Sequence, residues 1–415
     1  DIISTQVFRD VSAWSHFVVA FNTDDSTAAD RIKIYHNGSR ITDFSLQTNP
    51  SSGYVTNFNT GGSGEAIQIG REGGNSQFLD GYMAEIVFID GQALTPASFG
   101  ETNDDGVWIP KNSSSLTFGT NGYYLKGQDS SALGDDTSGN GNDFTSSGLA
   151  AADQMSDSPT NNHCTLNPLW VDGHTLSDGN LVASAAADSA AIGTMAFDPT
   201  DSAGFYFEAK VTTAATYPNV GIRTIESPSQ VGAVTSLSGN STGRFSFTGS
   251  NGQFSDAGSG SSYGSAWAGT ADKVIGVLVK AGALYFSIDG TIQNSGTAAK
   301  TGLTGLMLPT VFYDAGSGTT ASWEMRFDAS DWSTTPSGYK AITTDNLATP
   351  SIKDGSEYFH SQLYTGNGSS GLAITNDANA GDFEPDLLII APRSNGDNKV
   401  WLDDVRGTTK RIKSN

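Results

Sequence analysis

Between residues 273 and 293 the chain runs KVIGVLVKAGALYFSIDGTIQ. Leu284, Phe286 and Ile288 alternate with Tyr285, Ser287 and Asp289. A period of two sets one apolar strand face against a core and one polar face in water. Ala281-Gly282 and Asp289-Gly290 interrupt the run. Asp-Gly suits a two-residue hairpin turn, whose two turn positions both take positive φ. The device recurs early in the chain. Ile32 and Ile34 alternate with Lys33 and Tyr35, and Asn37-Gly38 turns the chain back into Ser39-Arg40-Ile41. The pattern therefore predicts antiparallel hairpins in β-sheet domains.

The same reading predicts strands at 14–21, 66–70 and 82–90, then a short helical turn with Thr95 as cap and Pro96 in the first helical position. Residues 101–170 are irregular except for a strand at 122–125. Further strands are predicted at 205–211, 219–222, 244–247, 308–313 and 322–327. The last stretch, 346–415, holds candidate strands at 357–364, 387–391 and 399–402. The organisation expected is 1–100, a connector at 101–170, a second β domain at 171–345 and a third, incomplete module at 346–415. The fold class is all-β: tandem antiparallel β-sandwiches with a partial third β module.

Composition narrows the function. Acidic residues outnumber basic ones 44 to 22, for a formal net charge of -22. That argues against nucleic acid, which is bound by a basic stripe; the composition fits a loop-rich all-β protein or, more sharply, an extracellular protein of a saline habitat. No apolar run approaches a membrane span. The chain begins at Asp1 without a leader, as a processed product or a part of a longer protein would, and secretion stays open. Cys164 is the single cysteine, so no intrachain disulfide forms. Its neighbour His163 is read as part of a connector, because a catalytic Cys and His meet in space rather than in sequence.

The order WSHFVVAFN, DRIKIYHNGSRI, IQIGR and FLDGYMAEIVFIDGQALTPASFG resembles a laminin-G-like, concanavalin-type sandwich over about residues 5–100. Its opening strands are missing. The strand at 122–125, followed by the Asp136–Asp143 stretch DTSGNGND, looks like such an opening and is expected to pair with the first domain. FYFEAKV, NVGI, YG, DKVIGVLVKAGALYFSIDG, LPTVF, WEMRF and PSGYK resemble a SPRY domain. Together with the connector DSPTNNHCTLNPL, this order resembles tail-fibre-like virion proteins of marine bacteriophages. The resemblance implies a virion or extracellular location, a homo-oligomer with a trimer favoured, contacts with other virion proteins, and attachment to bacterial surface glycan.

Candidate chemistry is sparse. Asp136, Asn140, Asn142 and Asp143 cluster oxygen donors of the kind calcium takes, against the plainer reading of a polar turn. The spacing does not meet the EF-hand pattern. Tyr54, Phe58, Tyr263 and Trp267 stand in or beside Gly/Ser/Asn-rich loops and are the candidate sugar platforms. The 239–243 stretch fits G-x-S-x-G, but no helix follows it, as a nucleophile elbow requires. His16 and His36 lack a patterned third metal ligand. Glu85, Glu208 and Glu324 are isolated acids, not the carboxylate pair a glycosidase uses. The expectation is a non-enzymatic, lectin-like attachment protein. A bacterial adhesin or filament subunit and a polysaccharide-degrading enzyme are the alternatives.

Overall fold

The structure, a computed structural model, describes residues 1–10, 13–55, 67–72, 76–185, 189–213, 216–225, 243–313, 320–375, 383–393, 396–407 and 410–413. The protein is all-β. Among the described residues every helical segment is a three-residue 3-10 turn. Pro96–Ser98 is one of these, with Pro96 in the first position, although the Thr95 side chain makes no capping hydrogen bond.

Two compact units are present: Asp1–Phe99 with Pro110–Ala348, and Gly100–Ile109 with Thr349–Asn415. In the first unit the N-terminal part forms small antiparallel ladders. β1 (Ile2–Ser4) pairs β5 (Phe44–Gln47), and β2 (Phe17–Phe21), β3 (Ile32–His36) and β4 (Ser39–Arg40) make a meander. Asn37 and Gly38 carry φ of 45° and 80°, the positive pair that joins β3 to β4. β6 (Arg71–Glu72) pairs β7 (Ser76–Phe78), whereas the described residues 67–70 of the predicted 66–70 strand form none. β8 (Ile86–Phe88) is shorter than predicted. β11 (Tyr123–Leu125) pairs with it antiparallel, and this is the expected link between the connector and the first domain. All three residues of β11 are buried. Rings gather around them: Phe88 stacks on Tyr123 at 5.4 Å and Phe118 on Tyr124 at 6.1 Å.

Two seven-stranded sheets form the sandwich. One runs β12 (Leu166–Asp172), β15 (Ser189–Gly193), β24 (Met307–Tyr313), β17 (Pro218–Thr224), β18 (Arg244–Thr248), β19 (Gln253–Asp256), β20 (Ser259–Ser262). The other runs β13 (Thr175–Ser177), β14 (Val182–Ala185), β25 (Ala321–Arg326), β16 (Phe205–Thr213), β21 (Val274–Lys280), β22 (Ala283–Ile288), β23 (Thr291–Ile292). Inward residues of both sheets form one core, with Phe207, Val277, Phe286 and Trp323 fully or almost fully buried. Each such side chain stabilises the fold by about 1.5–3 kcal/mol through apolar burial. The 273–293 hairpins form as predicted: Ala281-Gly282 and Asp289-Gly290 both carry positive φ.

One expectation is corrected. The polar face of β22 does not stand in water. Ser287 is 2% exposed, and Tyr285 joins an outer cluster with Tyr206, Leu278, Trp332, Tyr339 and Ala341. The cause is the stretch after β25, which crosses the outside of the sheet. The Tyr206 N–H donates to Lys340 O at 3.0 Å, and the Lys340 N–H to Gly204 O at 3.1 Å.

In the second unit β9 (Gly100–Thr102) pairs β10 (Trp108–Pro110). β26 (Leu387–Ile390), β27 (Val400–Asp403) and β28 (Ile412–Lys413) form an antiparallel three-stranded sheet. The strand predicted at 357–364 is absent. Its start is a 3-10 turn, Gly355–Glu357, capped by Asp354, whose carboxylate accepts the Ser356 N–H at 2.8 Å. No apolar side chain of the described part of this unit is buried.

Candidate functional site

The sugar platforms read from the sequence do not hold together. Tyr263 and Trp267 are 6% and 2% exposed and belong to the sandwich core. Both rings pack on Phe247, and the Tyr263 hydroxyl accepts the Phe286 N–H at 3.1 Å. This is a correction: a Gly/Ser-rich loop folds inward here and delivers its aromatics to the core. Tyr54 is exposed on a turn. Phe58 lies outside the described residues, as does most of the G-x-S-x-G stretch.

The four proposed cation ligands do meet, and both oxygens of Asp136 and the amide donors of Asn140 and Asn142 are spent on the chain. Asp136 Oδ1 accepts the N–H groups of Tyr124 and Ser138, and Oδ2 accepts the Asn142 N–H and the Ser138 hydroxyl, all at 2.8–2.9 Å. Asp143 accepts the Asp136 N–H at 2.9 Å. The Asn140 amide donates to Gly119 O and Gly122 O, and that of Asn142 to Thr120 O and Gly122 O. Burial pushes the Asp136 carboxyl up, but these donors outweigh it and hold it below the usual range. The cluster locks β11 in place. A cation there would displace donors from both Asp136 oxygens. Among the described residues no three His, Cys, Asp or Glu side chains converge on one point.

Cys164 is fully buried, and burial pushes its thiol up to about 12. His163 Nδ1 lies 2.8 Å from Asp328 Oδ2, a largely buried contact, so the His163 ring points to Asp328 while Cys164 sits in the core. Glu208 and Glu324 flank Arg326 on neighbouring strands. Glu85 accepts the Tyr124 hydroxyl.

A different site emerges in the first unit. A cleft of about 2570 Å³ opens between the N-terminal ladders and the sandwich. That is larger than the roughly 300–1,000 Å³ of small-molecule pockets. Trp14, Tyr82, Arg326 and Trp332 line it, with much of the 142–160 stretch. Trp14 Nε1 donates to Asp157 Oδ2 at 3.1 Å, and the His163 N–H donates to the other oxygen at 2.8 Å. Burial pushes the Asp157 carboxyl up despite those donors. Asp331 is likewise raised, by burial and then by neighbouring Asp328, and its Oδ2 accepts the Ser156 hydroxyl at 3.3 Å. Tyr82 is half exposed, and its phenol is raised by burial and by Asp178 and Asp153. Gly179 comes close to Tyr82: a Cβ there would lie 3.2 Å from its hydroxyl and 2.5 Å from the Met155 methyl. The sequence carries no sign of this site. Trp14 and Asp157 are 143 residues apart.

Residues 354–415 match the family described as a domain of unknown function, DUF7483. No curated protein matches the chain. Among solved structures the chain is similar to the SPRY domain of human HERC1, at 9% identity and a TM-score of 0.31, over 39% of this chain and 96% of that one. It is also similar to stonustoxin, at 18% identity and a TM-score of 0.29, over 39% of this chain and 27% of that one.

Proposed function

We propose that the protein is a non-enzymatic component of a virion appendage, a tail or surface fibre, that attaches to glycan on bacterial cells. The observation that carries the glycan reading is the cleft between the ladders and the sandwich. It pairs the amphipathic rings of Trp14 and Tyr82 with carboxylate and amide groups, the mixture that grips a sugar's apolar face and its hydroxyls. The virion assignment follows from the sequence resemblance. Asp157 has both oxygens committed to Trp14 and His163, which favours a positioning part over an acid-base one.

The net charge of -22 shapes how such binding works. An anionic cell surface repels the chain at long range, and salt screens that repulsion over a Debye length of about 8 Å at physiological strength. Adhesion then rests on short contacts, multiplied across copies of a homo-oligomer. The test is a pull-down of full-length protein on bacterial polysaccharide, with a reducing-sugar assay in parallel. Retained binding without new sugar ends supports the reading. Absence of binding, or release of sugar ends, overturns it.

A further inference from the structure

The charge along the cleft restricts what it can hold. Among the described residues, seven acidic and three basic ones line it. The basic ones are engaged. Arg326 turns its Nε and Nη2 to Glu324, each at 2.8 Å, and its Nη1 donates to the Ser333 hydroxyl at 2.5 Å. Lys126 donates to the Ser114 hydroxyl at 3.3 Å with its ammonium over the Tyr124 ring, and Arg71 donates to Gln68 at 2.9 Å. An acidic sugar is held best by a guanidinium that turns two N–H groups on one carboxylate, sulfate or phosphate. In this cleft the Arg326 fork is already given to Glu324.

Most of the acids are partnered too, so they are not bare charges awaiting a cation. Asp157 accepts from Trp14 and His163, Asp153 from the Ala150 N–H, Asp143 from the Asp136 N–H and Glu85 from the Tyr124 hydroxyl. Asp178 and Asp331 are exposed and accept serine hydroxyls, from Ser177 at 3.5 Å and Ser156 at 3.3 Å. A carboxylate has about four acceptor sites, so a partnered one still takes a sugar hydroxyl while its negative charge stays whole. Burial holds Asp157 and Asp331 above the usual carboxylate range, so further negative charge is poorly solvated beside them. We propose, resting on the glycan reading of this cleft, that its ligand is an uncharged polysaccharide, and that chains bearing carboxylate, sulfate or phosphate are turned away. The rings of Trp14 and Tyr82 take the apolar sugar faces, and the carboxylates take the hydroxyls. Discrimination comes from repulsion of the wrong ligand as much as from contacts with the right one.

A pull-down of the full chain on neutral and acidic polysaccharide fractions of bacterial cells, separated by anion exchange, tests it. The neutral fraction binds, and the acidic fraction binds about tenfold or more weakly at low salt. Oxidising primary hydroxyls of the neutral fraction to carboxylates weakens its binding in the same way. Added salt recovers part of that loss by screening, which a merely missing hydroxyl contact would not allow. Asp178→Asn with Asp331→Asn, both at exposed positions, recovers part of it at low salt. Equal or tighter binding of the acidic fraction overturns the proposal. So does a loss on oxidation that neither salt nor the double variant reduces, or a preference for the neutral fraction once it is substituted with amines. Absence of binding to every fraction overturns the glycan reading itself, and the uncharged ligand with it.

Discussion

Glu208 and Arg326 lie on neighbouring strands with 3.6 Å between carboxylate and guanidinium, and the Glu208 side chain is wholly excluded from water. The stretch that follows Arg326 seals it. The Ser333 and Thr334 N–H groups donate to Glu208 at 2.7 and 3.0 Å, and the Tyr206 hydroxyl donates at 2.8 Å. A residue that reads in the sequence as an isolated acid is the anchor for the outer cover of the sandwich. Glu208→Ala leaves those donors and Arg326 uncompensated, and should cost about 3–5 kcal/mol. Urea unfolding measures it, and Glu208→Gln, which keeps an acceptor, should lose less. Equal stability of Glu208→Ala and wild type would contradict the anchor role.

Asp136 sets a pH dependence. Its folded carboxyl titrates below the unfolded value of 3.8. Its stabilisation is therefore fully present above that value and is lost as pH falls through the folded pKa. Asp136→Asn should lose about 2 kcal/mol near neutrality, from charge-assisted hydrogen bonds, and should flatten the acid limb of the stability curve. Asp157 and Asp331 work in the opposite sense. Their raised pKa values favour the protonated fold, so their contribution is present below 3.8 and is lost as pH rises through the folded values. Thermal melts between pH 2.5 and 7 separate the two, because Asp157→Asn should make the protein less sensitive to rising pH.

Gly221 sits in β17, where an added Cβ would meet Phe245 O at 1.9 Å and Ser246 Cα at 2.7 Å. Both are backbone atoms of the neighbouring strand, so no rotamer relieves the clash. Gly221→Ala should destabilise by about 1–3 kcal/mol or more, seen as a lower urea midpoint. A neutral effect would mean that β17 and β18 separate freely there.

The Cys164 thiol should not react with a thiol-specific reagent at pH 8 in the native protein, because burial keeps it protonated and covered. In urea it should react within the mixing time of a bench assay. Fast native labelling would place the 163–164 segment outside the core.

In the cleft, Trp14→Ala and Tyr82→Ala should each weaken polysaccharide binding about tenfold while leaving the far-ultraviolet spectrum intact. Binding by the wild type should hold or strengthen up to seawater-like salt. A collapse of binding on adding salt would point to charge attraction instead.

The sequence by itself determined most of the sandwich strands and their turns, though not the stretch 357–364, which forms no strand. Alternation in Phe205–Thr213 and Ala283–Ile288 records which side chains face the core, and Asn37-Gly38, Ala281-Gly282 and Asp289-Gly290 record where the chain reverses. These signals are local, since period two and positive φ are properties of a few adjacent residues. The pairing of β11 with β8 is expected from the resemblance of 122–143 to the opening of a laminin-G-like domain, whose first strand is otherwise missing. Burial depends on what crosses a strand from far along the chain, and only the tertiary structure decided it. Ser287 reads as solvent-facing and Glu208 as an isolated acid until the stretch after Arg326 covers them, and Tyr263 and Trp267 read as loop aromatics until their loop turns inward. The cleft is legible only in three dimensions, because Trp14 and Asp157 become neighbours through the packing of ladders and sandwich, which no local pattern encodes.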